Sequence, residues 1–472
     1  MARILFMVSH DIYVRNYLRT NALQEVPENH TVTVISDSNL ALRDEVESRP
    51  DHGGSYFYPS NINRAHQLLF QILMWRYQAK SPTFRFRWMR MAQWPTFAPD
   101  ESLLARVSIF LRWLIPNLAN GTAMLPPLLG NRLVFPVSSR ILKRRVPVNQ
   151  SLEDLVVRHK PDLIVFPSAA YESSGIDAIR IGRKLEIPTL SLIDNWDNLT
   201  SKTVYWVKPN HLGVWGEQAL NQAVEVHNFD PAQIHLIGTP RFDQYFLSRR
   251  AFPEAIHNAI EPPKPYVLFV GSAMPFDEIE SLQVIESILA SNGFSPSDIR
   301  ILYRPHPWQH KRKVSAIFSP LDFTYTDLDP QILAAYDSGV TPGITDTSFQ
   351  PDLSYYPQLL SGARCVVGPL TTMLFEAVLC LKPVVALAYN DGFHASTSRR
   401  YFSHFDGMEN IPGFSFCEEE EALESALLNA LGQARINQAD SDAHSRYFLF
   451  RDHLTYPERL SRLITALAPP AP

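Results

Sequence analysis

Cysteine is scarce: the 472-residue chain holds three, Cys365, Cys380 and Cys417. Their odd number and the absence of metal-ligand spacing argue against a disulfide framework or a zinc module, and fit three buried thiols in a reducing compartment, the cytoplasm. No apolar run reaches the roughly 20 residues of a membrane-spanning helix, because the greasiest stretch, 103–118, is interrupted by Arg106 and Arg112. The opening run, 1–9, is broken by His10, Asp11 and Arg15 too early for a secretory signal, so it is expected as a first strand. There is no basic excess either. A net charge of -5 provides no global field for a nucleic-acid backbone, which removes nucleic acid from the expected partners. Neither a Walker loop nor a GxGxxG fingerprint is present, so a phosphate site, if there is one, is independent of NAD and of the P-loop.

What remains is an ordinary globular composition, 45% hydrophobic and 19% charged, in a chain too long for one core. Two domains are expected. Continuous apolar runs at 3–8, 31–35, 162–166, 189–193, 211–214 and 234–237 alternate with helical patterns, as buried parallel strands do. A second series follows at 266–270, 299–303, 365–367 and 383–386, after a proline-rich break at 261–265. The expectation is therefore an α/β protein with two doubly wound Rossmann-like domains, 1–245 and 264–442, and C-terminal helices at 443–472 packed near the domain junction. Residues 61–150 depart from this rhythm. They are aromatic and basic, from Trp75 to Trp94 and again at 142–145, and are expected as a helical insertion. Such a stretch either meets anionic lipid, placing the protein on the inner face of the membrane, or packs its rings into its own domain while the arginines reach outward. The acidic run 418–421 is expected at a helix start, where it complements the dipole.

Ligands of open α/β sheets bind outside the carboxyl ends of the strands, so residues just past the expected strands are the candidates. Arg304, Pro305, His306 and Pro307 follow one strand. A guanidinium can fork onto phosphate oxygens, an imidazole can donate to a phosphate or protonate a leaving oxygen, and two prolines stiffen the loop. Thr371 and Thr372 follow another strand and open a helix, whose N-terminus with adjacent hydroxyls suits phosphate; the competing reading makes Thr371 a plain N-cap, and the two roles are not exclusive. Glu376, one turn into that helix, could meet a ribose hydroxyl or serve as a first-turn acid. Gly271 and Ser272 offer a third close backbone approach. In the first domain, Asp194 and Asp197 lie in a polar loop, 194–202, that presents either a base or nucleophile or an Asx-rich turn. Glu172 is a rival base past its own strand, and His10 with Asp11 make a solvated loop after the first. Asp327 and Asp329 spell DxD in a surface loop rather than at a strand end, so no metal site is expected.

The segments 303–307, 238–243 and 368–383 together resemble GT-B glycosyltransferases of bacterial surface-carbohydrate biosynthesis, near the CDP-glycerol glycerophosphotransferase, polysialyltransferase and capsule Kdo-transferase group. The resemblance covers the second half of the chain and has Thr371-Thr372 where paired serines are common. It implies two domains facing a cleft, with donor phosphate held by His306, Thr371 and Thr372. It implies a nucleotide-activated donor, cytidine-based ahead of uridine-based, a carbohydrate or lipid-linked glycan acceptor, no cofactor, and catalysis without metal. Two other classes share the scaffold: a UDP-sugar 2-epimerase, and a non-catalytic carbohydrate-assembly protein.

Overall fold

The computed structural model of the chain describes residues 1–48, 55–60, 63–92, 102–120, 124–168, 172–248, 265–272, 276–306, 321–326, 353–389, 399–433 and 435–468. Two compact units emerge, Met1–Arg241 with Arg446–Pro472, and Phe242–Ser445. Each is built on one parallel sheet.

In the first unit β1 (Ala2–Val8), β2 (His30–Asp37), β3 (Ser55–Tyr58), β4 (Leu163–Ser168), β5 (Thr189–Ile193), β6 (His211–Val214) and β7 (Ile234–Leu236) lie in the order β3-β2-β1-β4-β5-β6-β7. The strands are continuously apolar because both faces are covered and successive side chains feed opposite cores. Ile4, Phe6 and Val8 enter one core with Tyr17 and Leu18. Leu5 and Met7 enter the other with Leu155, Ile176 and Ile179. The helix expected after β1 is a single turn, Asp11–Tyr13, that continues as a π-helix, Val14–Leu18. The wider turn rotates the side chains that follow, a feature common beside functional sites.

The insertion is helical: α1 (Arg64–Tyr77), α2 (Pro82–Met91), α3 (Leu103–Asn120), α4 (Leu125–Gly130) and α5 (Phe135–Arg145) lie between β3 and α6 (Gln150–His159). Two of its aromatic residues between 75 and 92 are internal. Phe84 and Trp88, four apart on α2, turn inward together onto Leu69, Ile72 and Met74. Arg76 lies 4.1 Å from the Phe135 ring centroid and donates to the Gly130 carbonyl at 2.8 Å, so its charge covers a ring of its own domain. Trp94 lies outside the described residues. Beyond β4, α7 (Ser173–Lys184) completes the crossover to β5.

The second unit places β8 (Tyr266–Val270), β9 (Arg300–Arg304), β10 (Thr324–Thr326), β11 (Cys365–Pro369), β12 (Val384–Leu387) and β13 (Phe414–Cys417) in the order β10-β9-β8-β11-β12-β13. Strand order reverses between β8 and β11, a topological switch point where loops diverge and leave room for a ligand. Val267, Phe269, Ile301, Tyr303 and Val367 pack on Leu282 and Ile285 of α8 (Glu278–Ser291). The helix after β11 is α9 (Thr372–Leu379). All three cysteines are buried free thiols.

The chain then re-enters the first unit, where residues 446–468 contain the helix α10 (Tyr456–Leu467). A capping box between Thr455 and Glu458 starts it, and Tyr456, Leu460 and Ile464 complete the core under β1. Arg459 donates to the Ile237 carbonyl at 3.0 Å and pairs with Asp452 at 3.0 Å. The next residue, Gly238, has φ +76, and a Cβ there would lie 2.8 Å from the Phe450 carbonyl oxygen. Only glycine combines that dihedral with that approach, so Gly238 lets the returning C-terminal segment pack against the chain just after β7.

Candidate functional site

Because β9, β8 and β11 are neighbours, the loops leaving their carboxyl ends lie side by side: Arg304 to His306, Gly271 with Ser272, and Thr371 with Thr372. The first two are in backbone contact. The Gly271 amide donates to the Arg304 carbonyl at 2.8 Å, and a Cβ on Gly271 would stand 2.8 Å from the His306 nitrogen and 3.1 Å from Pro305 Cα. Beneath them lies Glu278, the first residue of α8, with 0% exposure. Its carboxylate accepts from the Ser272 amide at 2.9 Å and from the Tyr303 hydroxyl, which ties the loop after β8 to β9. Both partners satisfy a buried carboxyl group that would otherwise be costly.

Arg304 differs from the expected exposed fork. It is buried, and its Nη2 donates to the Tyr356 hydroxyl at 2.9 Å. Its charge nonetheless reaches His306, whose imidazole is held down to about 4, first by burial and then by the Arg304 guanidinium. At neutral pH His306 is therefore a neutral ring that can donate one hydrogen bond, and an arriving phosphate dianion would offset the guanidinium. Pro307 lies outside the described residues, as do Asp327 and Asp329.

Thr371 is the N-cap of α9 in extended geometry, φ -140 and ψ 155, yet its side chain makes no capping hydrogen bond. The simple N-cap reading thus does not account for its hydroxyl. Thr372 is the first residue of the helix. Glu376 is elsewhere: it is 1% exposed and accepts from the Tyr245 hydroxyl, so its carboxylate is engaged inside the unit and not offered to a ribose.

The first unit carries its own strand-end cluster. The π-helix after β1 brings Asn16 to Asp194, with Nδ2 donating at 2.9 Å, and the preceding turn brings the Tyr13 hydroxyl to Glu172. Glu172 also accepts from Ser168 Oγ at 3.0 Å. Burial pushes Asp194 up to about 6, with Glu172 adding to the rise and Asn16, Arg241 and Lys202 opposing it. Such a carboxylate is ionised at neutral pH but basic enough to take a proton. Asp197 does not share this role. It accepts from Ser201 Oγ at 2.9 Å and pairs with Lys202 at 3.0 Å, so its carboxylate is engaged within its own loop. His10 caps the turn after β1 by accepting from the Ile12 amide, and Asp11 accepts from the Leu42 amide at 2.9 Å, so both are structural. Tyr13, Asn16 and Glu278 were not among the sequence candidates; Tyr13 and Asn16 follow the first strand of a doubly wound sheet, the position that could have marked them. Among the described residues, no group of three His, Cys, Asp or Glu side chains could hold a metal ion.

No protein-family model and no curated protein matches the chain. Solved structures do. The UDP-GlcNAc 2-epimerase from Methanocaldococcus jannaschii aligns over 98% of this chain and 99% of its own, with TM-score 0.52 and 12% identity. A Listeria monocytogenes protein assigned as a UDP-N-acetylglucosamine 2-epimerase covers 98% and 96%, with TM-score 0.53 and 10% identity. A glycosyltransferase from Rickettsia africae covers 100% and 99%, with TM-score 0.50 and 10% identity. At such identities the likeness shows the fold: two parallel-sheet, Rossmann-like α/β units, the GT-B architecture that glycosyltransferases and UDP-GlcNAc 2-epimerases share.

Proposed function

We propose that the chain is a glycosyltransferase, or a transferase of the glycerophosphate type, that moves a group from a nucleotide-activated donor to a growing surface glycan or lipid-linked acceptor. One observation carries the reading: on the two sides of β8, the neutral His306 imidazole and the Thr371 hydroxyl, which is not used to cap its helix, occupy adjoining strand ends. Negative charge develops on the donor phosphate as its bond to the transferred group breaks. The His306 N–H, the Thr371 and Thr372 hydroxyls and the N-terminus of α9 stabilise that charge, with Arg304 adding positive potential from below. Asp194, buffered by Asn16 and Glu172, removes the proton from the attacking acceptor hydroxyl. The second unit is thus the donor side and the first the acceptor side. This scheme places no step on a metal ion, so turnover is expected to survive EDTA.

The resemblance of the histidine-proline and threonine pair to that of enzymes using cytidine nucleotides favours a cytidine donor, whereas the names of the epimerase-like neighbours point to uridine. Thermal shifts with CMP, CDP and UDP distinguish the bases, since a ligand that binds only the folded state raises the melting temperature with occupancy. A second reading, 2-epimerisation of a UDP-sugar, is supported by the same neighbours and by Asp194, whose raised basicity also suits proton removal from a sugar carbon. The test is incubation with nucleotide sugar in D2O, with and without acceptor. Release of nucleotide only when acceptor is present supports transfer, and solvent deuterium entering the recovered sugar nucleotide without acceptor supports epimerisation.

A further inference from the structure

Every ionisable side chain between residues 102 and 152 is Arg or Lys. This is the part of the insertion that holds α3, α4 and α5, and it also carries apolar side chains that the core does not cover. On α5 one side is internal: Phe135 and Leu142 pack with Ile72 and Trp88. Val134, Val137 and Ile141, three and four residues apart, form a second apolar strip that faces solvent. Between the two runs a row of cations, Arg140, Lys143 and Arg144. With Pro136, Ser139 and Arg180 of α7 they line a cavity of about 500 Å³. Arg180 is partly offset, with Asp177 at 3.8 Å and a hydrogen bond to the Pro147 carbonyl at 3.3 Å, and Lys143 lies 5.8 Å from the Trp206 ring centroid. Arg140 and Arg144 have no carboxylate partner among the described residues. α3 shows the same kind of surface, with Leu104 83% and Ile115 65% exposed and Val107 and Leu111 between them on one helix face.

A solvated helix does not keep branched aliphatics in water beside cations such as Arg140 and Arg144, which no acid balances among the described residues, whereas an interfacial helix needs that pairing. We propose that α5 is a docking helix for an anionic lipid bilayer. Headgroup phosphates enter the cavity between Arg140, Lys143, Arg144 and Arg180, and Val134, Val137 and Ile141 settle against the upper acyl chains. A free phosphate would use the cations but would leave the aliphatic strip without a role, so a bilayer is the occupant the whole surface fits. The inference rests on the insertion and the adjoining Arg180 of α7, and stands whether or not the donor assignment does.

The test is co-sedimentation of the full chain with phosphatidylcholine vesicles, alone or mixed with phosphatidylglycerol. Binding is expected only with the anionic lipid and should fall with salt. The pair Arg140→Gln/Arg144→Gln should weaken partitioning roughly 30-fold, since each basic residue near such a surface contributes about a factor of five. The pair Val137→Asn/Ile141→Asn should weaken it while leaving the salt dependence in place. All four positions are exposed, so melting temperatures should match wild type; the salt and lipid series on the wild-type chain decides the matter if a variant fails to fold. The proposal is overturned by absence of binding to any vesicle, or by variants that pellet like wild type. It is equally overturned by a dimer in sedimentation velocity that Val137→Asn abolishes, or by inorganic phosphate saturating the site with no requirement for vesicles.

Discussion

Gly271→Ala probes the contact on which the donor-side geometry depends. The added Cβ would stand 2.8 Å from the His306 nitrogen, 2.8 Å from Glu278 Oε2 and 3.1 Å from Pro305 Cα. Ordinary contact begins at 3.4 Å, so the loops after β8 and β9 must separate by about 0.6 Å, the difference between 3.4 and 2.8. Two of the three obstacles are backbone, and the third is a carboxylate already committed to Ser272 and Tyr303, so no flexible side chain can yield. Overpacking of this kind costs about 1–3 kcal/mol. For a unit of this size that lowers the melting temperature by about 2–12 °C. The displacement also exceeds the roughly 0.5 Å within which a binding constellation must be held, so nucleotide affinity should fall about tenfold or more. Calorimetric melting and titration with nucleoside diphosphate measure the two effects on one sample. Gly432→Ala is the control, since a Cβ there meets nothing within 4 Å and should leave both quantities unchanged. If Gly271→Ala melts within about 1 °C of wild type and binds nucleotide within about twofold, the loops are not in the register described.

Three further perturbations have signs fixed by the structure. His306 lies near 4 in the free protein, below its unfolded value of about 6.5, so its contribution to stability is full above pH 6.5 and is lost as pH falls toward 4. Phosphate favours the imidazolium, so nucleotide affinity should rise from pH 8 to pH 5 with uptake of a proton, and His306→Asn should flatten both profiles in calorimetric titration. Asp194 is raised to about 6 from roughly 3.9, so its stabilisation is full below pH 4 and is lost as pH climbs through 6. Asp194→Asn should therefore gain melting temperature relative to wild type at pH 8 more than at pH 5, while turnover disappears and donor affinity stays. Arg459→Ala strips donors from the buried Ile237 carbonyl and the half-buried Leu454 carbonyl and should cost about 3 kcal/mol in urea unfolding, with loss of α10 packing.

The central strands were legible because a strand covered on both faces has no polar side to interrupt its apolar run, as in 266–270 and 189–193. Of the four edge strands, β7 was legible as the run 234–237 and the other three were not. β3 (SYFY), β10 (TYT) and β13 (FSFC) are short, half-exposed and mixed in character, so they carry neither a continuous run nor a clean alternation. In the insertion, aromatics and arginines alternate in the letters but separate in space, because Phe84 and Trp88 share a helix face that Arg85 does not. The strand-end positions of His306, Thr371, Glu172 and Asp194 followed from the βα rhythm. Their partners did not, since Glu278 is indistinguishable in sequence from a first-turn acid, and the π-helix that aims Asn16 at Asp194 has no signature in the sequence. Burial of Arg304 and Glu376 was likewise invisible, because it depends on Tyr356 and Tyr245, distant in the chain.

The central claim is that the carboxyl ends of β8, β9 and β11 hold the donor's phosphates. Isothermal titration of CDP and UDP into wild type, His306→Ala and Thr371→Val tests it most directly. The account predicts one site per chain for one of the two nucleotides, affinity at least about tenfold weaker in His306→Ala and several-fold weaker in Thr371→Val, and melting temperatures close to wild type for both. Equal affinity in all three proteins, or no binding of either nucleotide by the wild-type chain, would contradict it.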